Sequence, residues 1–306
     1  MSKIWVTGDA VVDLIPDSEN RYLKCPGGAP ANVAVAIARL GGKAAFFGRV
    51  GHDPLGRFMK QTLASEQVNT DYMTLDEAHR TSTVIVDLDD SGERSFTFMV
   101  KPSADQFMQI SDIPEFSAGE WLHVCSIALA NEPSRSSTLE AMRRIKRSGG
   151  FVSFDPNLRA EVWSDTDAII PVVRQAIELA DVVKFSDDEL LFLTQTGNLE
   201  QGLAAIQPYN HPLVLITQGA KGALVLFDNT RELITGQAVS PVDTTGAGDA
   251  FVGGLLAKLA QSPAWTNRET IRGAVKWANG CGALATTQKG AMTALPTQQA
   301  LLAYIE

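Results

Sequence analysis

The sequence has little that would bind a metal ion through cysteine or histidine, or form a disulfide framework. Its 306 residues include three cysteines and four histidines, which are scattered and form no Cys-x-x-Cys pair. This spacing excludes the usual zinc-binding patterns. Free thiols are typical of a reducing compartment, so we expect a cytoplasmic protein.

Long apolar runs and a leader segment are also missing. No run of the sequence reaches the length of a transmembrane helix. The N-terminus leads directly into a short apolar stretch at residues 4–7, without the features of a signal peptide. We therefore expect no signal peptide and no membrane partner.

Basic residues are in the minority. The 26 lysines and arginines are outnumbered by 35 acidic residues, which gives a net charge of −9. No cluster of basic residues marks a nucleic-acid surface, so we expect no nucleic-acid partner. An anionic ligand would therefore need a local binding site made for it.

Two common nucleotide-binding motifs are absent from the sequence. No Gly-x-Gly-x-x-Gly follows the first apolar stretch, and no Gly-x-x-x-x-Gly-Lys-Ser/Thr occurs anywhere. The Rossmann dehydrogenase and P-loop interpretations therefore lack their main support.

A glycine-rich turn that leads into an apolar helix is present instead, at residues 242–254. Gly246, Ala247 and Gly248 leave the backbone N–H groups accessible, and the first N–H groups of a helix attract anions. Asp249 follows, where a carboxylate could accept a proton from a hydroxyl beside a bound phosphate. We expect the helix N-terminus to keep Asp249 ionised. The alternative is an aspartate that only caps the helix.

Polar residues suited to a polyol come early in the chain. Asp9 and Asp13 follow the first predicted strand and could hold sugar hydroxyls, although ordinary loop acids would look the same. Gly28 lets the backbone approach a ligand closely. Asn32 lies in the first turn of a predicted buried helix, where its amide needs polar partners.

Residues 83–88 and 94–100 form a predicted β-hairpin with a turn at 89–92. With the segment around 11–23 they could form a small separate sheet. Phe96 and Phe98 share one face by the two-residue period of a strand. They belong either to the core of that sheet or to a surface that covers a ligand.

From residue 121 onward strands and helices alternate, which predicts a parallel sheet covered on both faces. Ligands of such sheets bind at the carboxyl ends of the strands. Arg159 follows one of these strands and could neutralise phosphate charge. Glu189 is either a ligand for hydrated Mg²⁺ or an acid in a first helical turn. Residues 217–222 are a hairpin turn or part of a nucleotide site.

Two stretches identify a family. The residues 27–32 (Gly-Gly-Ala-Pro-Ala-Asn) with 48–51, and 243–249 (Asp-Thr-Thr-Gly-Ala-Gly-Asp) with Gly253-Gly254, resemble the two signatures of ribokinase-like (pfkB-type) sugar kinases. The resemblance covers essentially the whole chain. Residues 8–14, 94–98 and 155–159 are most similar to the bacterial fructokinases within that family.

The resemblance implies a three-layer αβα fold with a mostly parallel sheet and a small β-sheet lid. It also implies a single catalytic domain over residues 1–306, with lid strands from about 11–24 and 81–101. The implied reaction is ATP-dependent phosphorylation of D-fructose at its 6-hydroxyl. Ribose, 2-keto-3-deoxygluconate or a nucleoside are alternative substrates, and a non-catalytic sugar-binding regulator is an alternative of another class.

The resemblance also implies residue roles. The catalytic base is Asp249, the anion hole is residues 246–248, and Arg159 lies near the transferred phosphate. The implied sugar ligands are Asp9, Asp13, Gly28, Asn32, Phe96 and Phe98. The implied nucleotide contacts are Thr217, Gly219, Gly246, Gly248 and Asn279.

Two metal ions follow from the same resemblance. The positions that match a K⁺ site are Asp243, Thr245, Ala285, Gln288, Gly290 and Ala294. Glu189 matches an indirect Mg²⁺ ligand, but Ser186 stands where the family often has an asparagine. Exposed strand edges of the lid predict a homodimer.

Overall fold

A computed structural model describes residues 1–88 and 94–305, with the side chains of residues 88 and 94–96 also outside the described part. The strands are β1 Lys3–Thr7, β2 Val11–Ser18, β3 Arg21–Gly27, β4 Lys43–Gly51, β5 Asn69–Asp76, β6 Thr83–Leu88, β7 Arg94–Phe98, β8 Trp121–Cys125, β9 Phe151–Asp155, β10 Val182–Ser186, β11 Leu213–Thr217, β12 Ala223–Phe227 and β13 Thr230–Ile234. The helices are α1 Ala29–Arg39, α2 Pro54–Ser65, α3 Ser134–Arg147, α4 Ile169–Leu179, α5 Asp187–Thr194, α6 Leu199–Ile206, α7 Ala247–Leu259, α8 Arg268–Ala285 and α9 Gln298–Ile305.

Nine strands form the central sheet in the order β13-β12-β11-β10-β9-β8-β1-β4-β5. Neighbours from β5 to β11 are parallel, whereas β12 and β13 are antiparallel additions at one edge. Successive side chains of a strand point to opposite faces. Ile4 and Val6 accordingly pack in a core with α1, α7 and α8, while Trp5 packs in a second core with α3 and α4. The predicted αβα fold is confirmed.

The remaining four strands form a small sheet, the lid, in the order β3-β2-β6-β7. Strands β6 and β7 pair in antiparallel fashion, as expected of the predicted hairpin, with Ile85 opposite Thr97. The turn predicted at 89–92 lies outside the described residues. A small apolar cluster of Val11, Val84 and Val86 gives the lid its own core, against which Phe98 packs.

Chain direction places the lid over one end of the central sheet. Strand β2 begins only four residues after β1 ends. Because β1 is a parallel strand of the central sheet, the chain enters the lid from the carboxyl edge, where ligands of such sheets bind. Among the described residues, no helix is both long and apolar enough to cross a bilayer.

Helix α7 lies close to both α1 and α8 because two of its residues have no side chain. A Cβ atom at Gly253 would lie 2.3 Å from the Cβ of Ala36 in α1. One at Gly254 would lie 2.6 Å from the Sγ of Cys281 in α8. Gly253 therefore sets how closely α7 approaches α1, and Gly254 sets how closely it approaches α8.

We expect Gly253→Ala to lower the free energy of unfolding by about 1–3 kcal/mol, since the added methyl must displace packed backbone. Gly273 is the matched control, because it lies inside α8 with nothing within 4 Å of an added Cβ. Gly273→Ala should raise stability by about 0.5–1 kcal/mol through helix propensity. Urea unfolding measures both, and changes of the same sign would contradict the packing argument.

Candidate active site

Several buried polar atoms at the carboxyl edge of the central sheet have no hydrogen-bond partner within the described part of the chain. Asp9 follows β1, Ser126 follows β8, Asp155 ends β9, and Asn32 faces them from α1. The unpartnered atoms are Asp9 Oδ1, Ser126 Oγ, Asp155 Oδ1 and Asn32 Oδ1. Buried polar groups normally pair. This concentration of unpaired atoms therefore indicates a site for a polar ligand.

Asn32 and Asp249 meet at the centre of this region. The Asn32 Nδ2 atom donates to Asp249 Oδ2 over 2.8 Å, and both side chains are buried. They are 217 positions apart in the chain. The contact joins the sugar segment predicted near the N-terminus to the predicted base. It leaves the amide oxygen of Asn32 for a ligand.

The turn before α7 has the form that an anion-binding helix start requires. Gly246 is the N-cap residue with φ of 78°, a left-handed conformation that favours glycine. A Cβ at Gly246 would lie 2.9 Å from the Cα of Ala291. The Ala247 N–H donates to the backbone oxygen of Thr244 over 3.2 Å, whereas the next N–H groups of the first helical turn, from Gly248, have no partner inside the helix. They can hold phosphate oxygens there.

The carboxylate of Asp243 stabilises this turn. Its Oδ1 accepts from Thr245 N over 3.0 Å and from Thr245 Oγ1 over 2.7 Å. Its Oδ2 accepts from Gly290 N over 2.8 Å. The loop after α8 is thereby attached to the anion-binding turn.

The pKa of Asp249 differs from what its position at a helix N-terminus alone would give. Burial raises the pKa of Asp249 to about 6, although the Asn32 hydrogen bond and the charges of Lys184 and Arg159 lower it. The helix N-terminus alone would lower this pKa, but desolvation of the buried carboxylate outweighs the helix dipole. Asp249 is still mostly ionised at neutral pH and is a stronger base than an exposed aspartate.

Sequence analysis missed Lys184, a buried lysine in β10. Its Nζ donates to Asp155 Oδ2 over 2.8 Å. The ammonium lies beneath the anion-binding turn, since a Cβ at Gly248 would be 3.5 Å from Nζ. Burial alone would lower the pKa of Lys184, but the Asp155 carboxylate, with Glu189 and Asp249 nearby, raises it. The sequence signal for this buried charge was a lysine within an otherwise apolar strand.

Arg159 is exposed at this edge, and its Nη1 donates to the backbone oxygen of Leu158. Its positive charge lowers the pKa values of both Asp9 and Asp249, so the guanidinium lies near both carboxylates. Lys184 below and Arg159 above therefore flank the anion-binding turn with positive charge.

Two of the predicted sugar residues, Gly28 and Phe98, lie beside Asp9. Burial, followed by the charge of Asp105, raises the pKa of Asp9 to about 7. Gly28 has φ of 95°, and a Cβ there would lie 2.6 Å from the backbone oxygen of Asp9. Asp13 lies in β2 against Gly27, whose added Cβ would be 2.4 Å from Asp13 Oδ2. Glycine is therefore required at both positions of the segment.

The lid covers this side of the site. Phe98 lines a small cavity with Asp9, and it also packs on the lid core. Phe98 therefore belongs to the core of the lid, and its role in covering a ligand stays a prediction. The side chain of Phe96 lies outside the described residues. Asp105, from the loop after β7, lines the same cavity and was not anticipated because no local pattern marks it.

A larger cavity of about 430 Å³ lies on the other side of the α7 N-terminus. It brings together five of the predicted residues: Thr217, Gly219, Ala247, Gly248 and Asn279. Its volume suits a nucleotide-sized ligand. The turn after β11 is both a hairpin and part of this cavity.

The sequence matches the family described as pfkB family carbohydrate kinase over residues 1–298. The chain belongs to the pfkB family of carbohydrate kinases. The fructokinase of Vibrio alginolyticus is 67% identical over 305 residues, which is 100% of this chain and 99% of that protein.

Two kinds of solved structure are also similar. The fructokinase of Vibrio cholerae O395 with bound fructose, ADP and calcium ion has a TM-score of 0.96 at 67% identity, covering 100% of this chain and 99% of that chain. A double mutant of that fructokinase holds fructose, ADP and potassium ion, with a TM-score of 0.97. The aminoimidazole riboside kinase of Salmonella enterica, with its riboside and an ATP analogue, has a TM-score of 0.93 at 40% identity over the full length of both chains.

Glu189 takes the position of a helix-capping residue. Its Oε1 accepts from Leu158 N and its Oε2 from Ser186 N, each over 2.9 Å. The Ser186 hydroxyl in turn accepts from Glu189 N, which completes a capping box. Of the two interpretations of Glu189, the first-turn acid is therefore what the geometry supports directly. A role toward Mg²⁺ stays a prediction.

The raised pKa of Asp9 makes a prediction about stability. Its folded pKa, about 7, lies above the ordinary value of 3.8. Between about pH 4 and pH 7 the folded protein therefore binds more protons than the unfolded chain. The free energy of unfolding falls as pH rises over this range, and the contribution that protonated Asp9 makes to it is fully lost above about pH 7. In the ligand-free protein, Asp9→Asn should raise the free energy of unfolding at pH 8, by up to about 4 kcal/mol, and by much less at pH 5.

The control is Asp53, which caps α2 and whose pKa is lowered in the folded protein. Asp53→Asn should lose stability at pH 8, the opposite sign. Urea unfolding at both pH values measures the effect. If Asp9→Asn lowered the free energy of unfolding at pH 8, the ionised Asp9 carboxylate would not be destabilising the folded protein.

Proposed function

We propose that the protein transfers the terminal phosphoryl group of ATP to the 6-hydroxyl of D-fructose. The observation that carries the proposal is the Asn32–Asp249 contact at the N-terminus of α7. It lies between a cavity lined by Asp9 and one lined by Gly248. The sugar and the nucleotide approach the same helix start from opposite sides.

The reaction follows from these positions. Asp249 accepts the proton of the sugar hydroxyl as the new O–P bond forms, and the bond between the terminal phosphorus and the ADP oxygen breaks. The amides of residues 246–248 hold the transferred group, and Arg159 and Lys184 balance its charge. We assign Asp9, Asp13, Gly28, Asn32, Phe96 and Phe98 to the sugar. Thr217, Gly219 and Asn279 are assigned to the nucleotide.

Fructose is favoured over the alternative substrates. Relatives with 67% identity are fructokinases, whereas the riboside kinase of Salmonella enterica is 40% identical. A sugar acid such as 2-keto-3-deoxygluconate would bring its carboxylate toward Asp9 and Asp13. The polar residues along the cavity beneath the lid, Asp9, Asp105 and Asn131, also suit a polyol better than an apolar base. Ribose stays an alternative because it offers the same hydroxyl chemistry.

The cofactors are ATP with Mg²⁺, and K⁺ as an activator. The Vibrio cholerae structures with ADP and calcium or potassium support these assignments by analogy. The unpartnered Asp155 Oδ1 and the Glu189 carboxylate, both close to Lys184, are acceptors suited to a hydrated Mg²⁺.

The loop that contacts Asp243 fits K⁺, because α8 ends there and its last carbonyl groups carry partial negative charge. We assign the ion to Asp243, Thr245, Ala285, Gln288, Gly290 and Ala294. Bound K⁺ would stabilise the turn that holds the phosphate and would add positive charge beside it.

We further infer that residues 1–306 act as one catalytic unit, in which the lid covers the sugar bound on the central sheet. The buried thiols of Cys125 and Cys281 favour a cytoplasmic location.

The test of the proposed function is coupled ADP release with fructose, ribose, 2-keto-3-deoxygluconate and a nucleoside, each in K⁺ or Na⁺. We expect the highest kcat/KM with fructose and a faster rate in K⁺. Asp249→Asn should lower kcat by about 10²–10⁴-fold, because the base is removed while the shape is kept. Its matched control is Asp167→Asn at an exposed position.

Each result contradicts a different part of the proposal. A preference for ribose would overturn the fructose assignment. Equal rates in K⁺ and Na⁺ would remove the K⁺ site. Normal turnover by Asp249→Asn would disprove its role as the base, and sugar binding without ADP release would support the non-catalytic regulator.

We propose that the lid also forms a homodimer. Its edge strand β3 exposes Tyr22 and Leu23, each 56% accessible, and an apolar strand edge is suited to pairing with a second copy. Sedimentation should give twice the mass of one chain, and Leu23→Glu should shift the protein toward the monomer. Phe192→Glu, at an exposed apolar position on α5, should leave the mass unchanged. A monomeric unmodified protein would contradict the proposal.

A further inference from the structure

The cavity beneath the lid contains a second carboxylate besides Asp9. Asp105 follows β7 in a short 3-10 turn and is only 6% exposed. Lys101 and Asn131 line the same cavity. Asp9 is 3% exposed, and its Oδ1 has no partner within the described residues. Two buried carboxylates therefore border one small space, and one of them offers an unpaired oxygen to it.

Hydrogen bonds fix the orientation of Asp105. The Ser103 hydroxyl donates to its Oδ1, and the Gln106 amide donates to its Oδ2. The Oε1 of Gln106 in turn accepts from Asn131 Nδ2 over 3.2 Å, and Ser164 donates to the amide oxygen of Asn131 over 2.7 Å. Burial raises the pKa of Asp105, and these two donors, which favour the ionised form, offset part of that rise.

Negative charge predominates around Asp9. Asp105 from the lid loop and Asp249 from α7 raise the pKa of Asp9, whereas Arg159 after β9 lowers it. The Lys101 ammonium donates a hydrogen bond to the backbone oxygen of Glu161, so the side chain points to the cavity rim. The Cys125 thiol is kept neutral, because burial and nearby carboxylates raise its pKa. Within the described residues, no ion pair neutralises either Asp9 or Asp105.

We propose that Asp105 is a specificity-determining residue, which together with Asp9 makes the sugar cavity accept neutral polyols and reject sugars carrying a carboxylate or phosphate near this end. The inference rests on the proposed sugar kinase function. Hydroxyl groups donate hydrogen bonds to carboxylates and fill the orphaned acceptor. A further anion in a buried space meets repulsion that solvent screens poorly.

The charge of Asp105 acts partly through Asp9. When Asp105 is ionised, its charge raises the pKa of Asp9, so that Asp9 is only partly ionised near neutral pH. A neutral sugar that donates hydroxyl hydrogens stabilises the state in which both carboxylates are ionised. Removing the Asp105 charge makes Asp9 more acidic. The change therefore affects both the discrimination between sugars and the pH at which the cavity becomes charged.

The decisive measurement is the ratio of kcat/KM for fructose to that for 2-keto-3-deoxygluconate. Asp105→Asn keeps the shape of the side chain and removes its charge, so the ratio should fall by about 10–100-fold. Asp167→Asn makes the same change in net charge at an exposed position and should leave the ratio unchanged. An unchanged ratio in Asp105→Asn would overturn the proposal.

Two further measurements separate charge from structure. Ser103→Ala removes a donor from the same turn but keeps the carboxylate, so it should preserve the ratio even if stability falls. In Asp105→Asn the acidic limb of the kcat/KM profile for fructose should move to lower pH. If the role of Asp105 were purely structural, Ser103→Ala would also lower the ratio of kcat/KM values. The acidic limb of the kcat/KM profile would then stay at the same pH in Asp105→Asn.

The unmodified protein provides a test that does not depend on folding of a variant. Its ratio should fall at least about tenfold between pH 8 and pH 5.5, as the carboxylates of the cavity gain protons. A constant ratio over this range would contradict the inference. Failure to phosphorylate fructose at all would instead contradict the proposed function, so the two failures are distinguishable.

Discussion

The hydrogen bond between Asn32 and Asp249 is the contact on which the site depends. It forms only because α1 and α7 approach closely, which the missing side chain at Gly253 allows. It also orients the carboxylate toward the edge where strand ends and helix starts meet. The close packing of α1 against α7 is therefore also what places the Asp249 carboxylate. A small loss of complementarity between the helices would displace the base from the hydroxyl it serves.

Burial of acids at this edge lowers stability in the ligand-free protein. Asp9 and Asp249 both have raised pKa values, chiefly through desolvation. Lys184 and Arg159 offset only part of this cost for Asp249. The unpartnered oxygens of Asp9 and Asn32 are acceptors suited to the hydroxyl groups of a ligand. Active sites commonly keep such unfavourable arrangements because the chemistry requires them.

A protein with net charge −9 binds an anionic nucleotide through local features. The N–H groups that begin α7 face the phosphate position, and Lys184 lies beneath them. On the sugar side, by contrast, carboxylates predominate. The positive and negative halves of the site lie on opposite sides of one helix terminus. Under the proposed function, this asymmetry would direct the phosphate and the polyol to different cavities.

The sequence by itself determined the αβα architecture, the lid strands and the glycine turn before α7. Each of these depends on local signals, such as strand and helix periodicity, turn residues and short motifs. Tertiary structure alone decided the pKa of Asp249, the position of the Lys184 ammonium and the second carboxylate, Asp105. These properties depend on desolvation and on partners distant in the chain, which no local pattern records. Asp249 illustrates the difference: the sequence places it at a helix start, but its burial sets its pKa.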